Sequence, residues 1–245
     1  MYQHEATSVI GFVRQLCQYL ANGYWFYVTG SIKPSRNPHD VDQRLLTKFG
    51  VGISRQARWR RKRKGLANVH YLRHERFWIL VATKGPHEFF EQHVTRNEQG
   101  LVTRRFFRDA RITPILFQGY SLRVARGNYR RRERGSDRFV PPQPDDKYRV
   151  RVQIARTAYL DLCAEFLELA RQSGWTSKAL ESLIYRVPFE PYAPIRQQLL
   201  DLVRRMNRVR RQRGIQDLLV AKNAIRLRIQ AVSPFVKIDE PPSDH

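Results

Sequence analysis

The chain has 245 residues, long enough for one or two domains with a substantial core. Its 42% hydrophobic content excludes a disordered chain, and no uninterrupted apolar run approaches the roughly 18 residues of a membrane span. Lys and Arg number 45 against 22 Asp and Glu, a formal charge of +23 that far exceeds what solubility needs and points to an acidic partner.

In chain order, residues 7–21 predict a helix, with Val9, Ile10, Val13, Leu16, Cys17 and Leu20 at three- and four-residue steps and Asn22-Gly23 as its stop. Tyr24 to Ile32, aromatic and β-branched on both faces, predicts a strand covered on both sides. A helix opens at Pro38-His39-Asp40, buries Val41, Leu45, Leu46 and Phe49, and closes at Gly50. Ser54 then caps a basic helix that Gly65 ends. Asn68 to His74 and Phe77 to Thr83 predict paired strands turning at Glu75-Arg76. Residues 94–111 predict a polar stretch with a turn at Gly100, residues 115–124 one strand, 127–144 a charged loop, and 148–154 a further strand. From Thr157 the pattern is helical, ending in a long helix from Pro194 to Arg213 and an acidic tail.

The expected fold class is α+β: a ferredoxin-like, split βαβ sheet core over residues 1–155, followed by a basic α-helical region over 156–245. RNA-recognition modules and several nuclease families of RNA processing and replication initiation share that element order. The run Arg76-Phe77-Trp78-Ile79-Leu80-Val81 resembles the central strand of RNA-recognition modules in its basic and aromatic residues, without the glycines. LLTKFGVGISRQARWRRKRKG looks like a helix-turn-helix, which would bring Ser54, Arg55, Gln56 and Arg60 to a major groove.

The candidate interface starts from the basic helix. Arg55, Arg58, Arg60, Arg61, Lys62, Arg63 and Lys64 stand within ten residues that hold no acid, with Trp59 among them as a stacking surface. Arg104 and Arg105, the loop residues Tyr129, Arg130, Arg131 and Arg132, and Arg204, Arg205, Arg208 and Arg211 on the long helix extend it. Arg196, Arg210 and Arg213 fall on the same polar side of that helix as the last four. The expected partner is nucleic acid, RNA in preference to DNA because the arginines are dispersed over several elements. A ribonucleoprotein or mobile-element complex is the expected setting, in the cytoplasm or at the nucleoid. The alternative is a nuclease or strand transferase, with His74 and His87 as acid-base candidates or Tyr159 as nucleophile.

Metal and cofactor signatures are missing. His87 and His93 lack HExxH spacing, His70 and His74 are about 13 Å apart along a strand, and neither GxxxxGK[ST] nor GxGxxG occurs. Cys17 and Cys163 read as small buried hydrophobes rather than a disulfide.

Overall fold

A computed structural model describes residues 2–129 and 143–235 of the chain. In order these form α1 (Val9–Ala21), β1 (Phe26–Ser31), α2 (Pro38–Lys48), α3 (Arg55–Arg63), β2 (Val69–His74) and β3 (Phe77–Ala82). There follow α4 (Glu88–Gln92), β4 (Val94–Arg96), β5 (Val102–Arg105), β6 (Arg108–Asp109), β7 (Ile115–Phe117), β8 (Tyr120–Tyr129) and β9 (Gln143–Ile154). The chain continues with α5 (Arg156–Arg171), α6 (Ser177–Tyr185), α7 (Ala193–Gln212) and α8 (Ala221–Ala224). The fold is mixed α+β with antiparallel sheets. Among the described residues no helix is long and apolar enough to cross a membrane.

The molecule divides into two units. The described residues of Met1–Pro114, Val124–Val150 and Val232–His245 form unit 1, and those of Ile115–Arg123 and Arg151–Ala231 form unit 2. Two of the limits between the units cross the strands β8 and β9, at residues 123–124 and 150–151.

Unit 1 is built on a four-stranded sheet of order β2-β3-β1-β6. β3 pairs antiparallel with both β1 and β2, and β6 pairs antiparallel with β1. Cross-strand register puts Phe26, Val28, Val69, Tyr71, Leu80 and Ala82 on one face, which Leu45 and Leu46 of α2 and Phe89 of α4 cover. On the other face α1 packs: the Phe12 ring meets Phe77 at 5.7 Å and His74 at 6.4 Å, and Tyr19 stacks on His70 at 4.2 Å. In β1 itself Tyr27 is buried on this face, and Phe26 and Val28 are half-buried on the other. Trp78 lies over Gly30, where any Cβ would stand 2.4 Å from the indole.

The N-terminal segment runs beside β2, with Arg73 N–H donating to His4 C=O at 2.8 Å and Ala6 N–H to Arg73 C=O at 2.7 Å. A buried polar cluster fastens it. The Asp42 carboxylate, 1% exposed, accepts from Tyr71 O–H at 2.6 Å, from Arg73 Nε at 3.0 Å, and bonds His4 Nε2 at 3.0 Å. Arg73 reaches on to Glu5 at 2.7 Å. The last described residues strap α1: Thr7 N–H donates to Pro234 C=O at 3.1 Å, and Arg14 to Val232 C=O at 3.1 Å.

Two expectations change. Residues 115–124 are not one strand: Gln118 (φ +43°) and Gly119 (φ +76°) turn the chain back, so β7 pairs with β8. Residues 94–111 are not merely polar, because β4 and β5 pair about the Gly100 turn and β6 joins the main sheet. The acidic tail and most of the charged 127–144 loop lie outside the described residues.

Unit 2 packs α5 on α7 and α6 on α8. Its core includes Phe117, Leu122, Ile154, Phe166, Leu180, Ile184, Leu199, Leu202 and Met206. Cys163 is buried and Cys17 half-buried, and neither forms a disulfide.

The clusters make stability measurable against pH and mutation. Burial and the nearby Arg58 charge push His70 down to about 3, so it is neutral when folded, while the unfolded chain takes up a proton below pH 6.5. Stability is expected to fall by about 1.4 kcal/mol per unit of pH lost between 6.5 and 3 from this group, and His70→Phe removes that part of the slope in urea titrations. His4 works in the opposite sense, raised by its bond to Asp42, and its contribution is lost as pH rises through its folded value. Asp42→Ala, which strands Arg73 in the interior, is expected to cost about 3–5 kcal/mol in the same assay.

Candidate nucleic-acid interface

The helix α3 has no buried residue, so apolar packing does not hold it in place. Local chemistry sets its ends: Ser54 Oγ accepts from Ala57 N–H at 3.2 Å, and Gly65 leaves the helix at φ +71°. Two of its own arginines do the fastening. Arg58 donates to Val51 C=O at 2.6 Å and lies over the Tyr2 ring at 5.6 Å. Arg61 forks onto Ala67 C=O through Nε at 3.2 Å and Nη2 at 3.0 Å. Asn68 Nδ2 closes the attachment on Arg58 C=O at 3.0 Å. Arg58 and Arg61, expected among the contacting residues, are half-buried members of the fold.

The outward side of α3 carries the rest of the charge. Arg55, Arg60, Lys62, Arg63 and Lys64 are exposed, and none makes an ion pair to an acid among the described residues. Trp59, 55% exposed, stands among them with the Arg63 guanidinium 4.9 Å from its ring centroid. Charges crowded in this way repel one another, and an anion laid along the helix relieves that repulsion. Six residues, 49–54, separate α2 from α3.

The other expected contacts are spread out. Arg104 and Arg105 are exposed on β5, and the Arg104 guanidinium sits 4.8 Å from the centroid of Phe106. In unit 2, Arg208 and Arg211 are exposed, Arg204 pairs with Asp201 at 3.0 Å, and Arg205 donates to Cys163 Sγ at 3.4 Å. Arg210, assigned from the sequence to the polar side of the helix, is instead 1% exposed. It donates to Asp217 C=O at 2.7 Å and Trp175 C=O at 3.0 Å, which holds the chain beyond α7 against the α5–α6 connection. Arg196 is half-buried and donates to Pro191 C=O at 3.0 Å. Arg130, Arg131, Arg132 and the Tyr129 side chain lie outside the described residues.

The acid-base candidates are not brought together. His74 ends β2 on the face beneath α1, buried, with Nδ1 2.9 Å from Ala6 C=O. His87 lies beyond the opposite end of the β2–β3 hairpin, where its Nδ1 accepts from Phe89 N–H at 3.0 Å and caps α4. Burial and the Arg61 charge lower the His87 pKa. Tyr159 donates its O–H to Gln198 C=O at 2.9 Å, and burial pushes it up to about 12, away from a nucleophile's range. Among the described residues no group of three His, Cys, Asp or Glu side chains is placed to hold a metal ion.

Sequence reasoning missed Phe106, whose signal was its place directly after Arg104-Arg105; Arg111 grips Asp109 and lies 4.6 Å from the Trp25 ring. Comparison with known proteins finds no matching family, no matching curated protein and no matching solved structure.

The division of labour on α3 has a direct check. Arg61→Gln is expected to speed amide exchange throughout residues 55–63 by about tenfold, the loss of one to two hydrogen bonds. Lys62→Gln, one position on, leaves that exchange unchanged.

Proposed function

We propose that the protein binds nucleic acid through its phosphate backbone, with α3 as the principal contact. One observation carries this: five exposed cations on one short helix and its C-cap have no acid to pair with among the described residues, while two further arginines of the same helix tie it to the backbone at Val51 and Ala67 on either side. A charged side chain on a fixed platform loses less entropy on meeting phosphate than one on a floppy tail. Arg104 and Arg105 on β5 are further contacts from unit 1, and Arg208 and Arg211, with Arg204 and Arg205, form a basic contribution from unit 2. Their dispersal over several elements favours structured RNA over a duplex read by a single helix.

The reading includes a fold assignment. The order β2-β3-β1-β6, with antiparallel neighbours, supports a ferredoxin-like split βαβ sheet. It departs from that arrangement in having two helices in the first crossover and a last strand of only two residues. RNA-recognition modules stack bases on the sheet face left open by their helices. Here α1 covers that face, so the ligand is assigned to the basic helix and not to the sheet. The nuclease alternative gains nothing from the geometry, because His74 and His87 stand at opposite ends of a hairpin and each serves a structural bond.

The triple variant Arg60→Gln, Lys62→Gln, Arg63→Gln tests the assignment. Its affinity for RNA at low salt is expected to fall, and the slope of log K against log salt to shrink by about 2–3, with the urea midpoint unchanged. An unaltered slope would remove α3 from the interface.

A further inference from the structure

Three aromatic rings are exposed on unit 1 among the described residues: Trp59 at 55%, Phe106 at 46% and Tyr148 at 36%. Each lies under an arginine guanidinium. Arg63 is 4.9 Å from Trp59, Arg104 is 4.8 Å from Phe106, and Arg126 is 5.0 Å from Tyr148. Tyr148 already rests against Trp25 at 4.8 Å, whereas Trp59 and Phe106 have no other ring against them among the described residues.

An exposed ring joined to a guanidinium offers two things side by side: a flat apolar face and a fork of donors. A single unpaired nucleotide presents the matching pair, a base face and a phosphate. In a duplex the base faces are stacked on one another, and such a ring meets only backbone and groove edges. We infer that the ligand of this surface is a single-stranded or looped segment of nucleic acid, with unpaired bases stacking on Trp59 and Phe106 while Arg63 and Arg104 meet their phosphates. This rests on the reading of α3 as the phosphate contact and narrows its ligand class.

The test measures fluorescence anisotropy at fixed salt with four labelled probes of equal length: an unstructured RNA, an unstructured DNA, and the RNA and DNA duplexes. Proteins are the wild type, Trp59→Ala, Trp59→Phe and Phe106→Ala. Both rings are exposed, so the variants retain the fold, which an unchanged thermal midpoint verifies. Each alanine variant is expected to weaken binding to an unpaired probe by about 5- to 150-fold, leave duplex binding within about twofold, and keep the salt slope. Trp59→Phe retains most of the affinity, because a phenyl ring still stacks. Whichever of the RNA and DNA single strands binds more tightly identifies the sugar preference, and a stacking loss on either supports the inference. Equal losses on single strands and duplexes, or no loss on either, would overturn it while leaving the phosphate role of α3 standing. A wild type that binds none of the four probes would overturn both.

Discussion

In a chain with twice as many basic as acidic residues, the described part of unit 1 buries one carboxylate, Asp42. Burial by itself raises its pKa, but hydrogen bonds with His4 and Tyr71 and the charge of Arg73 outweigh that, and it titrates below its ordinary 3.8. Three parts of the chain converge on it: the N-terminal segment through His4, the sheet through Tyr71 and Arg73, and α2, which carries it. The segment so fixed places Tyr2, whose hydroxyl bonds Tyr71 C=O at 2.9 Å and whose ring supports Arg58 of α3. The position of the basic helix thus depends, two contacts removed, on a buried acid. Buried ion pairs add little net stability over a well-packed apolar core, but they are costly to break, so this one fixes the arrangement more than it strengthens it.

The same side chain type serves opposite ends in this molecule. Arg73 and Arg210 are interior residues that satisfy carbonyls and carboxylates, Arg58 and Arg61 are half-buried braces, and Arg60 and Arg63 on the same helix face water. A guanidinium with five donors can close several backbone groups at once, which suits it to connections where no apolar residue fits. A count of charges therefore overstates the charge left open to a ligand. Of the seven cations from Arg55 to Lys64, five remain exposed after bracing.

What the sequence made legible was local. The ends of α3 were written in Ser54 and Gly65, the β2–β3 hairpin in its apolar runs and the Glu75-Arg76 turn, and the long helix in its stripe from Ile195 to Met206. What escaped was non-local. The turn at Gln118-Gly119 hid inside an apolar run because Gln118 is an ordinary residue in a left-handed conformation. The inward turn of Arg210 depends on Trp175 and Asp217, one of them 35 residues away. The site was legible as a stretch of charge, but which of its members are structural was not, since Arg58 and Arg61 owe their roles to carbonyls at Val51 and Ala67 that any residue would supply.

Unit 1 is assembled from separated stretches of chain, and its α1 is tied down by the carbonyls of Val232 and Pro234. During synthesis those two residues leave the ribosome long after the sheet and the basic helix. The nascent protein accordingly exposes its cationic surface, with α1 not yet strapped, in an environment dense with ribosomal RNA and messenger. Vectorial assembly therefore leaves that surface open to any nearby polyanion until the last part of unit 1 emerges.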